Sequence, residues 1–236
     1  MTGIGTMVNV AAIAAGGLAG LAFGRILPER VRRGLMTACG LCVMFIGMQG
    51  ALARALTFAD GRMEARGALM AAGCFALGTL IGEVVDIERA VGRFGEWLKA
   101  RAGSSRDGGF TGAFVTSSLT VSVGAMAIVG AIADGASGDP SILFVKAILD
   151  FLIIMVMAAA MGRGCLFSVL PVAAIQFPVT LLASAAGTSI TPAGLDNLSL
   201  TGSMIIFCVG VNLIWDVRIR VANMLPVLVV ALLWPA

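Results

Sequence analysis

LFVKAILDFLII, residues Leu143–Ile154, is an apolar run interrupted by one lysine and one aspartate. Lys146 and Asp150 are four residues apart, so on a helix they face the same side. In a bilayer each charge near the helix centre costs about 2.5–3.5 kcal/mol. The run is preceded by GDPS, with Asp139 placed as an N-cap and Pro140 at the first helical position. From that start Lys146 lies roughly 9 Å and Asp150 roughly 15 Å along the axis. The second depth is near the midplane of a hydrocarbon core about 30 Å thick. Lys146 is long enough to snorkel to the interface; Asp150 is not. Asp150 must therefore be protonated, paired with Lys146, or turned toward a water-filled cavity. The functional reading is an ion, proton or substrate site. The competing reading is a structural pair that sets helix packing.

Composition places this run in a membrane. Hydrophobic residues make up 59% of the 236 residues and charged residues 12%, and the mean hydropathy is +1.01. Soluble domains are about 45–50% apolar. The chain therefore reads as an all-α polytopic membrane protein in one transmembrane domain, 1–236, with the lipid bilayer as its solvent. A net charge of +3 is too small and too scattered for a nucleic-acid reader. Histidine and tyrosine are absent, which removes the usual general base and the commonest metal ligand. No GxxxxGK[ST] loop occurs, so a nucleotide-driven pump has no support. The expectation is a non-enzyme without metal or cofactor. MTGIGTMVNV lacks a basic start and reads as a retained helix, not a removed signal.

A span needs about 20 mostly apolar residues. That length predicts about eight: Ile4–Phe23, Gly34–Ala55, Gly67–Gly82, Phe110–Ala133, Pro140–Met161, Leu166–Ala186, Leu198–Trp215 and Val221–Pro235, the last being short. Placing both termini outside leaves twelve of the sixteen basic residues on the cytoplasmic side, as the positive-inside rule asks. Residues 86–102 repeat Ile87, Val91, Phe94 and Leu98 at helical spacing with charges opposite, which predicts an amphipathic interfacial helix. Residues 103–109, GSSRDGG, read as a flexible cytoplasmic linker. NVAAI (Asn9–Ile13) is similar to PVAAI (Pro171–Ile175), and MFIGMQ (Met44–Gln49) to FCVGVN (Phe207–Asn212). These nearly constant offsets relate spans one and two to six and seven in opposite directions, as in an inverted repeat. Chance similarity of Ala/Val/Gly-rich segments is the competing reading.

Around Lys146 and Asp150 the candidate ion- or substrate-binding residues are Asn9, Gln176, Ser118 and Ser122. Gly16–Gly17 in span one and Phe177–Pro178 in span six mark where those helices would break and free backbone groups for a ligand. Gln49 and Asn212 are counterparts under the repeat, and interhelical amide bonding is the plainer explanation of each amide. Thr116, Ser117, Ser118, Thr120 and Ser122 form a hydroxyl stripe in span four, though small hydroxyls commonly bond their own helix. Gly124 and Gly130 would admit a close neighbour. Gly16, Gly20, Gly24, Gly78 and Gly82 form small-residue faces for packing or for a homo-oligomer. Cys39 and Cys42, in CGLC, read as buried packing residues. Asp150 reads as the only carboxylate deep in a span. Glu83, Asp86 and Glu88 are explained by interfacial solvation.

Several phrases carry a family likeness: GTMVNVAAIAAGGLAGLAFGRILPERVRRGLM, LGTLIGEVVDIERAVGRFGEWLK, FVTSSLTVSVGAMAIVGAIADG, GDPSILFVKAILD and IRVANMLP. Together they resemble the bacterial inner-membrane family catalogued as domain of unknown function 554, over nearly the whole chain. The resemblance implies a bacterial inner-membrane location and a transport role, with no substrate. Its motifs place Asn9, Asp134, Asp139, Lys146, Asp150, Gln176 and Asn223 among recurring polar positions. Members carry glycine after the span-six glutamine, where this chain has Phe177–Pro178.

The expected function is a secondary transporter of a small solute or ion, driven by an ion gradient. A structural or accessory membrane protein that forms oligomers is the second expectation, and a channel the third. An enzyme acting on lipid is least supported, for lack of a catalytic constellation.

Overall fold

The structure is a computed structural model that describes residues 3–24, 26–59, 62–103, 108–122, 125–186, 191–215 and 219–234. Most of the linker at 103–109, Gly124, part of the 187–197 loop, Arg218 and Pro235 lie outside the described residues. Ten α-helices and one hairpin are present among those described: α1 (Ile4–Gly24), α2 (Glu29–Ala55), β1 (Leu56–Ala59), β2 (Arg62–Ala65), α3 (Ala68–Val85), α4 (Ile87–Arg101), α5 (Phe110–Ser122), α6 (Ala125–Ala136), α7 (Ser141–Met161), α8 (Val169–Ala186), α9 (Pro192–Ile214) and α10 (Pro226–Leu233). Short 3-10 turns at Arg163–Ser168 and Val221–Met224 lead into α8 and α10.

Six helices are long and apolar enough to cross a membrane, and α5 with α6 makes seven if the bent pair is one span. The eight expected spans differ from this in two places. Span four is not one helix: α5 and α6 meet at 56°. The last segment is a short helix, Val221–Leu233, below the length a span requires. The sequence leaves open whether helices break at Gly16–Gly17 and Phe177–Pro178; no break occurs at either. α1 runs unbroken, and α8 carries Pro178 inside it. A two-stranded hairpin that the apolar pattern did not predict follows α2, with Leu56 opposite Ala65 and Ala59 opposite Arg62.

Small residues set the packing. In lipid, helices are held together by close contact and not by a hydrophobic drive. Gly16, Gly20 and Gly24 lie on the carbonyls of Phe151, Met155 and Ala159. Both series rise together, so α1 and α7 run parallel. Gly78 lies on the Val227 backbone and Gly82 on the Asn223 carbonyl, while Gly73 faces the Trp234 ring; here the order reverses and α3 and α10 are antiparallel. α2 and α9 cross at glycines as well. A Cβ on Gly47 would stand 2.5 Å from Phe207 N and 2.7 Å from Ser203 O. A Cβ on Gly210 would stand 2.6 Å from Met44 N and 2.9 Å from Gly40 O. Large apolar side chains such as Leu18, Leu41, Phe45, Leu69, Leu181 and Leu182 point outward, as a lipid-facing surface requires.

Two helix starts are capped by side chains from distant elements. The first N–H groups of a helix have no partner within it. Asp134, fully buried in α6, accepts from Gly3 N (3.2 Å) and Thr6 N (2.9 Å) at the start of α1. Thr6 Oγ1 lies 3.2 Å from the same carboxylate and 2.8 Å from Thr180 Oγ1. Asp150 is therefore not the only buried carboxylate. Asn223, also fully buried, accepts from Glu88 N at 2.7 Å at the start of α4. Asp139 accepts from Ser141 N (3.0 Å) and Oγ (2.6 Å) ahead of α7, which holds its carboxyl below the usual carboxylate range. Charge-assisted hydrogen bonds are worth about 1.5–3 kcal/mol. Asp134→Ala is expected to lower stability by about 2 kcal/mol and Asp134→Asn by less, read as thermal unfolding in detergent.

The amphipathic pattern predicted for residues 86–102 forms α4. Phe94 stacks on Trp97 (5.7 Å) and tilts against Phe114 of α5 (5.9 Å), and the Arg101 guanidinium lies 5.4 Å over Trp97. Arg220 bridges Glu83 (2.6 Å) and Asp86, and Arg89 pairs with Asp86 at 3.0 Å. These carboxylates are thus ion-paired as well as solvated. Burial pushes the Glu88 carboxyl up, against an Ala222 backbone hydrogen bond and the Arg220 charge.

Candidate functional site

Lys146 and Asp150 meet as their spacing predicts. Lys146 Nζ donates to both carboxylate oxygens of Asp150, at 2.9 and 2.7 Å, and both side chains are buried. The third ammonium hydrogen is directed at Val121 O, 2.8 Å away. Val121 lies in the last turn of α5, where carbonyls lack helical partners and carry the negative end of the helix dipole. The cation thus satisfies a carbonyl freed by the break between α5 and α6. It does not snorkel.

The pair lines a cavity of about 180 Å³. Thr120, Ser199 and Ser203 add hydroxyls; Val43, Ile46, Leu149, Ile153 and Ile206 form apolar wall; Met126 and Ala127 bring the first turn of α6 to its edge. Helix starts favour negative charge. That volume admits several waters or one small solute.

Two predicted amides join the site. Asn9 is fully buried, stands beside the Asp150 carboxylate, and donates through Nδ2 to Gln176 Oε1 at 3.1 Å. Asn9 Oδ1 and Gln176 Nε2 are buried without a partner. The chain Lys146–Asp150–Asn9–Gln176 therefore links α7, α1 and α8.

The two serines expected with them are elsewhere. Ser118 and Ser122 line a separate, largely apolar cavity of about 410 Å³ with Val91 and Phe94 of α4, Ile175 and Leu228. The reason is helical geometry: on α5 they face away from the side that carries Thr120. Their hydroxyls are unpartnered, whereas Ser117 and Thr120 bond the carbonyls of Ala113 and Thr116 at 2.7 Å. Asn212 holds the turn after α9 through Ile219 N (3.0 Å) and Ile219 O (2.8 Å), and Gln49 is exposed. Gly16, Gly20, Gly24, Gly78 and Gly82 all serve contacts within the chain. Asp134 and Asn223 were not singled out by spacing, because a capping partner more than a hundred residues away leaves no local signal.

The chain is 27% identical over 235 residues to the "Uncharacterized protein YqgA" of Escherichia coli (strain K12), covering 97% of this chain and 94% of that protein. It is 22% identical over 226 residues to the "Uncharacterized membrane protein YdfK" of Bacillus subtilis (strain 168), covering 96% and 93%. No solved structure matches the chain. The family described as "Protein of unknown function (DUF554)" matches residues 4–236, and this multi-pass helical membrane protein belongs to that family.

Proposed function

We propose that this protein is a secondary transporter of a small solute or ion, set in the bacterial inner membrane with both termini outside. The observation that carries the reading is a buried lysine–aspartate pair on a cavity at the break between two half-helices. Discontinuous helices free backbone groups near the midplane, which is where transporters build sites. Ionisable groups at that depth are expensive and default to function.

The α2–α9 crossing supports the inverted repeat. An offset of 163 maps Gly40, Met44 and Gly47 onto Ser203, Phe207 and Gly210. The contacts of Gly47 with Phe207 and Ser203 then correspond to those of Gly210 with Met44 and Gly40. Reciprocity of this kind agrees with a two-fold relation, as it does with any antiparallel helix pair. Val43 and Ile206, which share the offset, both line the cavity. The candidate site thus lies between the related segments.

A structural or accessory role is the second reading. It is favoured by the closure of the pair: every ammonium hydrogen is engaged, as in a packing device. Asp150→Asn separates the two. The variant is expected to insert and fold yet lose gradient-driven uptake in proteoliposomes. In a thermal screen of ions and small solutes, a ligand at a hundredfold excess over Kd raises wild-type stability by about 2.7 kcal/mol, and in the variant that gain no longer depends on pH. Intact uptake by Asp150→Asn would sink the assignment.

A further inference from the structure

The charge balance of the cavity selects its cargo. As it stands, the pair is neutral and offers an entering anion no free ammonium hydrogen, while the Asp150 carboxylate repels it. A proton on Asp150 reverses both conditions. The neutral acid releases two of the three ammonium hydrogens and leaves one positive charge. One monovalent anion then restores neutrality. We propose that the cavity binds a short aliphatic monocarboxylate together with one proton, the anion on Lys146 and the proton on Asp150.

The step is a proton transfer from hydronium in the aqueous phase to a carboxylate oxygen of Asp150: one O–H bond of the hydronium breaks, one forms on Asp150, and water is left behind. When anion and proton leave together, the ion pair closes again. The inference rests on the transporter reading and gives it a cargo class: an acid carried as its anion plus a proton.

The surroundings fit this cargo. Among the described residues, no other titratable group lines the cavity. α2 presents Val43, Ile46 and Gly50, α6 presents Met126 and Ala127, α5 presents Thr120 and the Val121 carbonyl, and α9 presents Ser199 and Ser203. One lysine answers one negative charge, so a dicarboxylate would carry an unpaired one. The aliphatic wall suits a short alkyl tail.

Asn9 supports the ionised state of the pair. Its Nδ2 donates to Gln176 Oε1 at 3.1 Å and also faces the Asp150 carboxylate as a donor, so the amide helps to hold the charge that returns to Asp150 when anion and proton leave.

The test is calorimetric titration of the purified full chain in detergent with butyrate, in buffers of different ionisation enthalpy. The expected result is uptake of about one proton per butyrate, with affinity falling about tenfold per pH unit while Asp150 is ionised, as linkage requires. Asp150→Asn is expected to bind butyrate without proton uptake and without pH dependence, and Lys146→Met not to bind. The wild-type proton count decides the matter even where a variant does not fold. Binding without proton uptake, equal binding of butanol, or chloride or succinate taken in preference to butyrate each overturns the proposal. Proton-linked butyrate binding with no flux in vesicles overturns the transporter reading alone. Gradient-driven flux of another solute, indifferent to butyrate, overturns this inference alone.

Discussion

Lys146→Met is expected to destabilise the protein by about 3–5 kcal/mol, because it leaves the Asp150 carboxylate buried beside an apolar side chain. Two hydrogen bonds of 2.9 and 2.7 Å vanish from Asp150, and Val121 O loses its 2.8 Å partner at the end of α5. The double variant Lys146→Met/Asp150→Leu is expected to recover most of that loss, since replacing a whole buried pair with apolar residues is often neutral. Unfolding of both variants in mild detergent checks the expectation. A double variant as unstable as the single one would mean that the Val121 carbonyl, not the unpaired charge, sets the penalty. The same double variant separates stability from function: folded and silent in transport is the outcome that the transporter reading requires.

Gly20→Val is expected to lower stability by about 3 kcal/mol, at the upper end of what overpacking costs. A side chain there meets the Met155 carbonyl and the Ala158 methyl, with no flexible end to move aside. Relief requires α1 to lift from α7, which also draws Asn9 away from Asp150. Gly34→Ala is the matched control. Nothing lies within 4 Å of a Cβ at that position, so the change is expected to be neutral or to gain up to about 1 kcal/mol of helix propensity. Equal losses at both sites would show that the glycine face of α1 is not a close contact with α7.

The comparison of sequence with structure divides along a physical line. The helical membrane class, the buried pair at spacing four, the glycine faces and the amphipathic pattern of α4 were legible because each is a local pattern. Hydrophobic length is set by bilayer thickness, and a spacing of four is set by 3.6 residues per turn. The break at α5–α6 was not legible, because VSVGAMAIVG remains apolar throughout and the bend depends on neighbours. Whether spans one and six break at Gly16–Gly17 and Phe177–Pro178 was left open by the sequence for a related reason. Gly16 and Gly17 are held against Phe151 and Leu166, so they serve close approach instead of unwinding, and Pro178 is accommodated within α8.

By itself, then, the sequence determined the helical membrane class and the placing of Lys146 and Asp150 on one face of one helix, since these follow from composition and period. Tertiary structure alone decided three things: that Lys146 takes the freed Val121 carbonyl, that Asn9 and Gln176 join the pair while Ser118 and Ser122 do not, and that Asp134 and Asn223 cap distant helix starts. Each depends on which face meets which neighbour across a hundred or more residues of chain or across a helix break, and no spacing along one helix encodes that.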